Sequence, residues 1–600
     1  MAGGVRMADE DILDTIKKRY RTAVDGWNYI HEDALSDLRF AYDVDGGQWP
    51  DEIRQDRAGR PMITVNKLLK FIRQLRGEGK MNRPTMKVIP VDDLADVKMA
   101  ELYNGLINQI EYLSSADVAY DTAYMNAVSA SMGFFRIITK YENEFSFNQE
   151  ILIKRISNLF QVKYDPAARE FDYSDADYCF IDEWMTKKDF KAAFPDAEIQ
   201  DFGQNQRGQN YQGWFEEDRV LITEYYYKEK KKIKIGMVEI ALPDGRVNRG
   251  VIELTNDVRK RLEEDPRSRL LQERDSETIQ VKWKKVTGAE VLEETDWPGK
   301  YIPVIPVFGD EIVVNGRKYY MSLIRGAKGP QQMYNYWSSC ATETVALAPK
   351  APYVVATKQV EGLENEWNEA NRKNRMILRY KHIPGLQKPS REPQTQVPAA
   401  IVAMMQNTAF ELEDHLGRYE SSKGAPSNER SGIAIQSRIA QSDKGTFTFV
   451  DNFARALIYS TRQLIDLIPK IYDTQRALRV RGEDGSERIE NVNVNTGRID
   501  VAGRPEVLND LTVGKYDLIA TTGASFSSRR QELRQSLLES LQYAGPYAPV
   551  ILPFIFKYSD SPEAEEIATA IKEFGMQGSQ AGQGGPNGQI ITEQGGFNAG

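Results

Sequence analysis

Two helical stretches flank a small insert, and what those stretches can bury limits the fold more than any other feature of the sequence. In the first, Met333, Trp337, Cys340, Thr344 and Leu347 recur at spacings of four, three, four and three. Pro330 suits a first helical turn and Pro349 a stop, so a helix is expected over 330–348. The second is expected over 398–416, opened by Pro398 and striped by Ile401, Met405, Thr408, Leu412 and Leu416. Each also has a polar side, with Gln332, Tyr336, Ser339 and Glu343 on the first, and Gln406, Glu413 and Asp414 on or near the second. Rods of this kind bury their stripes against each other, against neighbouring copies, or inside one globular domain, and periodicity leaves all three open. The insert, 349–397, reads as a small α/β piece: a strand (APYVVAT), a charged helix (GLENEWNEANRKNR), a second strand (MILRY) and Pro-rich turns.

After the second helix comes GAPSNERSGIAIQSR, 424–438, which begins as a loop and ends as a helix. Gly424, Pro426 and Gly432 allow an irregular path, and Glu429 and Arg430 put charge at its tip. A plain solvated helix connection would use the same residue types. A long helix is expected over 433–473, with Gly445 and Pro469 as points of bending.

The remaining segments mix both periods. Ile12, Ile16, Tyr20, Val24 and Trp27 place a surface helix in 9–42, and ITVNKLLKFIRQLRGEGK a second one, ended by Gly77 and Gly79. RPTMKVIPV reads as a strand, 94–132 as one long helical stretch, and GFFRIITKYE as the strand after it. Hairpins are expected at Asp244-Gly245, at Asn315-Gly316, in ETIQVKWKKVTGAEVLEE and in ALRVRGEDGSERIEN. Helices are expected at 528–542 and 561–574, and a disordered Gly/Gln-rich tail over 576–600. The fold class is α+β, and 600 residues exceed one compact core.

Composition narrows the function. A net charge of −9 argues against a broad basic face that grips nucleic acid through phosphate contacts, while leaving room for DNA that only passes by. The two cysteines, Cys179 and Cys340, are far apart and form no CxxC, which points to a reducing compartment without a thiolate zinc site. The N-terminus is charged and no apolar run reaches membrane-spanning length, so a cytosolic origin and no membrane partner are expected. His31, His382 and His415 stand apart from each other, so no metal is expected. Asp43 and Asp45 resemble a calcium loop only until Arg54 takes the place of its closing Glu, and the segment is read as a turn. The glycines around Lys80 lack phosphate-loop spacing and no GxSxG elbow occurs, so neither a cofactor nor catalytic residues are expected.

Four segments in series carry a resemblance: VNKLLKFIRQLRGEGKMNRPTMKVIPVDD (65–93), YDTAYMNAVSASMGFFRI (120–137), YYMSLIRGAKGPQQMYNYWSS (319–339), and the stretch from GAPSNERSG to LIPKIYD (424–473). In this order the chain resembles the portal proteins, the head-to-tail connectors of tailed double-stranded DNA bacteriophages, and specifically the short-tailed podovirus type. The resemblance spans most of 10–575 and rests on the series rather than on any one motif.

The resemblance implies an elongated subunit that assembles, in twelve copies, into a ring at one capsid vertex of the virion, made in the host cytoplasm. DNA would be packaged through its axial channel by terminase and ejected by the same route. The parts implied are a wing (1–329), a stem of helices 330–348 and 398–422 around a clip (349–397), and a tunnel loop (423–432). A long helix with β elements (433–525) and crown helices (526–575) follow, with little or no barrel beyond them. Partners would be the terminase large subunit, a head-tail adaptor, and the major capsid and scaffolding proteins. Lys423, Glu429 and Arg430 would face DNA, Glu343 and Glu413 would line the stem channel, and Trp337 and Leu412 would pack the stem. Two rivals remain, a nucleic-acid-processing enzyme of the packaging machinery and a monomeric multi-domain binding protein.

Overall fold

A computed structural model describes residues 2–81, 83–91, 97–197, 219–241, 247–264, 267–288, 290–347, 353–370, 376–391, 398–416, 447–482, 487–499, 505–512, 516–521, 536–541, 551–552 and 555. The chain divides into a large unit, 1–79 with 86–520, and a small one, 80–85 with 521–600. In the small unit, 536–541 is helical, inside the helix expected at 528–542; the rest of that expectation, the helix at 561–574 and the tail lie outside the described residues.

The expected N-terminal helix runs Ala2–Tyr42 and buries Ile16, Tyr20, Ala23, Trp27, Ile30 and Ala34 along one face, each about one turn from the next. Trp27 is the centre of an aromatic core. Its Nε1 donates to the Tyr164 carbonyl at 2.9 Å, and Phe134, Tyr173 and Phe308 surround the ring. Buried Asp182 ties the same helix to the sheet beneath, accepting from Tyr20 (2.9 Å) and Thr223 (3.0 Å) and pairing with buried Lys163. Each charge is thereby paired and hydrogen-bonded, which is what burial requires.

His31 lies on this helix against Trp27 and Phe160, with its Nε2 sealed from solvent and unpartnered. Burial, then the charge of Lys163, lower its pKa to about 3, against a weaker opposing hydrogen bond from the Val162 backbone. The native ring stays neutral while the unfolded ring takes a proton near pH 6.5, so its contribution is intact above that pH and is lost as pH falls toward 3. The slope is at most about 1.4 kcal/mol per pH unit. His31→Gln is expected to flatten the acid limb of stability, read as urea midpoint against pH; an unchanged limb would show that other groups set it.

The stretch 94–132, expected as one long helix, is two helices, Val97–Ser114 and Ala116–Ala130, followed by the strand Met132–Tyr141. Ser115 breaks it with φ of 47°, a backbone state that propensity does not announce. That strand is the middle of a three-stranded antiparallel sheet with Val304–Phe308 and Gln149–Arg155. Gly133 lies so close to the second helix that a Cβ would sit 2.0 Å from the Ala123 carbonyl oxygen. Helix Phe447–Ile471 packs on the same core through Phe449, Phe453, Leu457, Leu464 and Leu467, the residues whose spacing forecast it.

A six-stranded antiparallel sheet holds Val162–Tyr164, Tyr178–Thr186, Arg219–Ala241, Ser268–Val286 and Val291–Trp297, with Val247–Glu253 on the far half of the third. The strands flanking Asp244-Gly245 pair as expected, the turn itself lying outside the described residues, and Asn315 and Gly316 take φ of 51° and 77° in a two-residue turn. Hairpins 268–297 and 476–492 are also present. The structure is α+β.

Two expectations in the insert change. MILRY makes no strand: Tyr353–Val354 pairs instead with Ser390–Arg391, while Met376 and Ile377 stand 102% and 74% exposed. The charged helix shrinks to Glu364–Asn368, where the Trp367 Nε1 donates to the Arg379 carbonyl at 2.8 Å. In this small piece, side-chain bonds to backbone replace sheet pairing.

Candidate functional site

The two rods that opened the sequence reading form helices Leu323–Leu347 and Ala399–His415, packed on each other. The second begins after Pro398 as expected. The first begins seven residues before Pro330, not at it. Its start is set by Ser322, whose Oγ accepts from the Arg325 backbone N–H at 3.2 Å, a cap signal overlooked in favour of the proline. Pro330 sits inside the helix with Gly326 four residues before it, so the clash of its ring is limited to the Gly326 carbonyl.

The base of this helix is held by a buried acid. Asp37, fully buried on the N-terminal helix, accepts from Ser322 Oγ (2.7 Å) and from Arg325 Nη2 (3.0 Å), and Lys328 Nζ lies 2.7 Å from its other oxygen. Next to it Leu412 and Leu416 of the second rod pack with Phe40, Leu68, Phe71, Ile72, Ile324 and Ala327. Leu412, expected to pack the stem, is fully buried there.

Trp337, the other residue expected to pack it, is only half-buried, its ring edge-on to Tyr336 at 5.7 Å. The stripe to which it belongs is not the buried one, since Met333 is 45% exposed. The buried positions are instead Gln331, Asn335, Ser338 and Ser339. They face residues 61–67, which the sequence assigned to a helix but which run extended, the helix starting only at Leu68 and continuing past both glycines to Met81.

The reason is a commensurate set of hydrogen bonds. Backbone N–H groups of Lys67, Val65 and Ile63 donate to Gln331 Oε1 (3.1 Å), Asn335 Oδ1 (3.0 Å) and Ser339 Oγ (2.9 Å), and Gln331 Nε2 returns a bond to the Val65 carbonyl (2.9 Å). Four helical residues rise about 6.0 Å and two extended residues about 6.6 Å, so each turn of the helix meets every second amide. A buried backbone with no sheet partner needs such groups, which is why polar residues occupy the covered face.

Glu343 is the next step of the same series. Arg57 Nη2 donates to it at 2.7 Å and to the Pro61 carbonyl at 3.1 Å, and the guanidinium lies over Tyr336. This corrects the expected role of Glu343 as a free channel acid: its side chain is 21% exposed and its charge is paired, so it offers phosphates little net repulsion. Glu413 is half-buried on the second rod. Lys423, Glu429 and Arg430, with the whole loop 423–432 and the helix start 433–446, lie outside the described residues. The structure therefore gathers Glu343, Trp337 and Leu412 on one helix pair and does not describe the loop charges.

Among the described residues no group of three or more His, Cys, Asp or Glu could hold a metal ion, and no helix is long and apolar enough to cross a membrane. Compared with known proteins, residues 17–594 match the family described as phage P22-like portal protein. A portal protein of Acyrthosiphon pisum secondary endosymbiont phage 1 is 24% identical over 569 residues, covering 90% of this chain and 78% of that protein. The chain belongs to the P22-like phage portal proteins, a structural family that supplies the DNA channel of the phage capsid.

Proposed function

We propose that copies of this chain close into a ring in which helices 323–347 and 399–415 border the passage for DNA. The observation that carries this reading is the apolar surface the helix pair leaves uncovered after packing on itself. Met333, Val345, Val402, Met404 and Phe410 are 45%, 63%, 46%, 47% and 67% exposed. A large, concentrated apolar surface of this kind marks an interface, and a neighbouring copy of the same pair would cover it. Twelve copies, a position at one capsid vertex of the virion, and docking to the terminase large subunit, head-tail adaptor, capsid and scaffolding proteins follow the portal family. The role is geometric, without catalysis or cofactor.

In this reading Lys423, Glu429 and Arg430 meet the DNA backbone at the loop, with weak contacts that weaken further in salt. Glu413 adds acidic character along the stem, and the pairing of Glu343 with Arg57 moderates it. The purified protein is expected as annular particles in negative-stain images; a solitary 68.2 kDa species under all conditions would overturn the reading. Deleting 424–431 is expected to leave rings intact and to abolish packaging or retention of DNA.

A further inference from the structure

Two apolar features of the wing have no cover within the chain. We propose that they meet between neighbouring copies: the tip bearing Phe145 and Phe147 on one copy seats on the sheet face bearing Ile233, Met237, Val247 and Val251 on the next. The inference rests on the ring reading and assigns one of its contacts.

The tip is a built projection. Behind it the strands 132–141 and 149–155 pair in continuous register from Phe135↔Arg155 to Tyr141↔Gln149. Across it Glu142 N–H donates to the Asn148 carbonyl (2.9 Å), Phe145 N–H to Asn143 Oδ1 (2.9 Å) and Asn148 N–H to Ser146 Oγ (3.1 Å). On this fixed backbone Phe145 and Phe147 are 96% and 97% exposed. One exposed apolar residue is ordinary, but two aromatic rings held out together form the kind of anchor that concentrates binding energy.

The receiving face lies on the far half of the six-stranded sheet. Strand 178–186 covers the third strand only up to Tyr227 and strand 291–297 covers the fourth only from Val281, so beyond these points strands 228–241, 247–253 and 268–280 stand alone. On one face Val238 and Leu254 are buried. The opposite face is bare: cross-strand partners Met237 and Val251 are 40% and 61% exposed, and Val247 51%.

Charge selects the occupant. Residues 141–150 hold three glutamates and no lysine or arginine, whereas 228–241 holds five lysines and two glutamates. An acidic aromatic tip thus complements a basic aliphatic face, and every copy carries both. Such a contact is heterologous and repeats in one sense around a ring.

The test uses the full chain and reads ring formation against protein concentration by native mass spectrometry. Phe145→Ser/Phe147→Ser and, separately, Val251→Asp are expected to raise the midpoint by roughly tenfold or more, with unchanged circular dichroism, since all three side chains are exposed. Combining them is expected to add little, as for residues in direct contact. Phe147→Cys with Val251→Cys is expected to give a reducible ladder of cross-linked subunits. Rings at the wild-type midpoint without a ladder would overturn the inference and leave the ring reading standing. Wild-type-like rings that fail to enter capsids would also overturn it, assigning the tip to a shell protein. Solitary wild-type protein would instead sink the ring reading itself.

Discussion

Leu412→Asp is expected to destabilise the subunit by roughly 4 kcal/mol or more, from the loss of a fully buried leucine and the burial of a carboxyl without a partner. Leu412 joins four elements: Phe40 from the N-terminal helix, Leu68, Phe71 and Ile72 from the third segment, and Ile324 and Ala327 from the first stem helix. A charge there removes the apolar contact that fixes the second rod to all of them. Trp337→Asp is expected to cost far less, roughly 1–2 kcal/mol, because the indole is only half-buried. Urea unfolding at matched protein concentration separates the two; equal midpoints would show that burial at the stem root does not set its stability.

Asp37→Ala is the second large effect, about 3 kcal/mol or more. The substitution strands Arg325 and Lys328 next to a cavity and removes the acceptor of Ser322, and breaking a buried pair from one side is far costlier than the net worth of the pair. Asp37→Asn keeps an acceptor for Ser322 and is expected to lose less. Both variants are compared by urea midpoint, and an alanine variant as stable as wild type would show that the first stem helix does not depend on this acid.

The long helices and hairpins were legible because one periodicity serves one buried face. Trp27, Phe453 and Asn315-Gly316 are such cases. The covered face of the first stem helix was not legible. Gln331, Asn335 and Ser339 look like a solvated side until the extended backbone of 61–67 lies against them, and no spacing within 330–348 announces a partner so far away in sequence. Glu343 was singled out by position on the helix, yet its meaning depends on Arg57, 286 residues earlier. MILRY failed for a related reason: its β-prone residues need a neighbouring strand, and 390–391 takes the place beside 353–354.

Pro330 has a mechanical consequence. It lies between the Asp37 cluster, which clamps residues 322–328, and the amide series at 331–343, so the first stem helix is gripped on both sides of one turn that lacks a backbone rung. Axial or lateral load along this rod would concentrate its bending at that turn. The gripped portions would keep their shape, as stiff levers do on either side of a flexure.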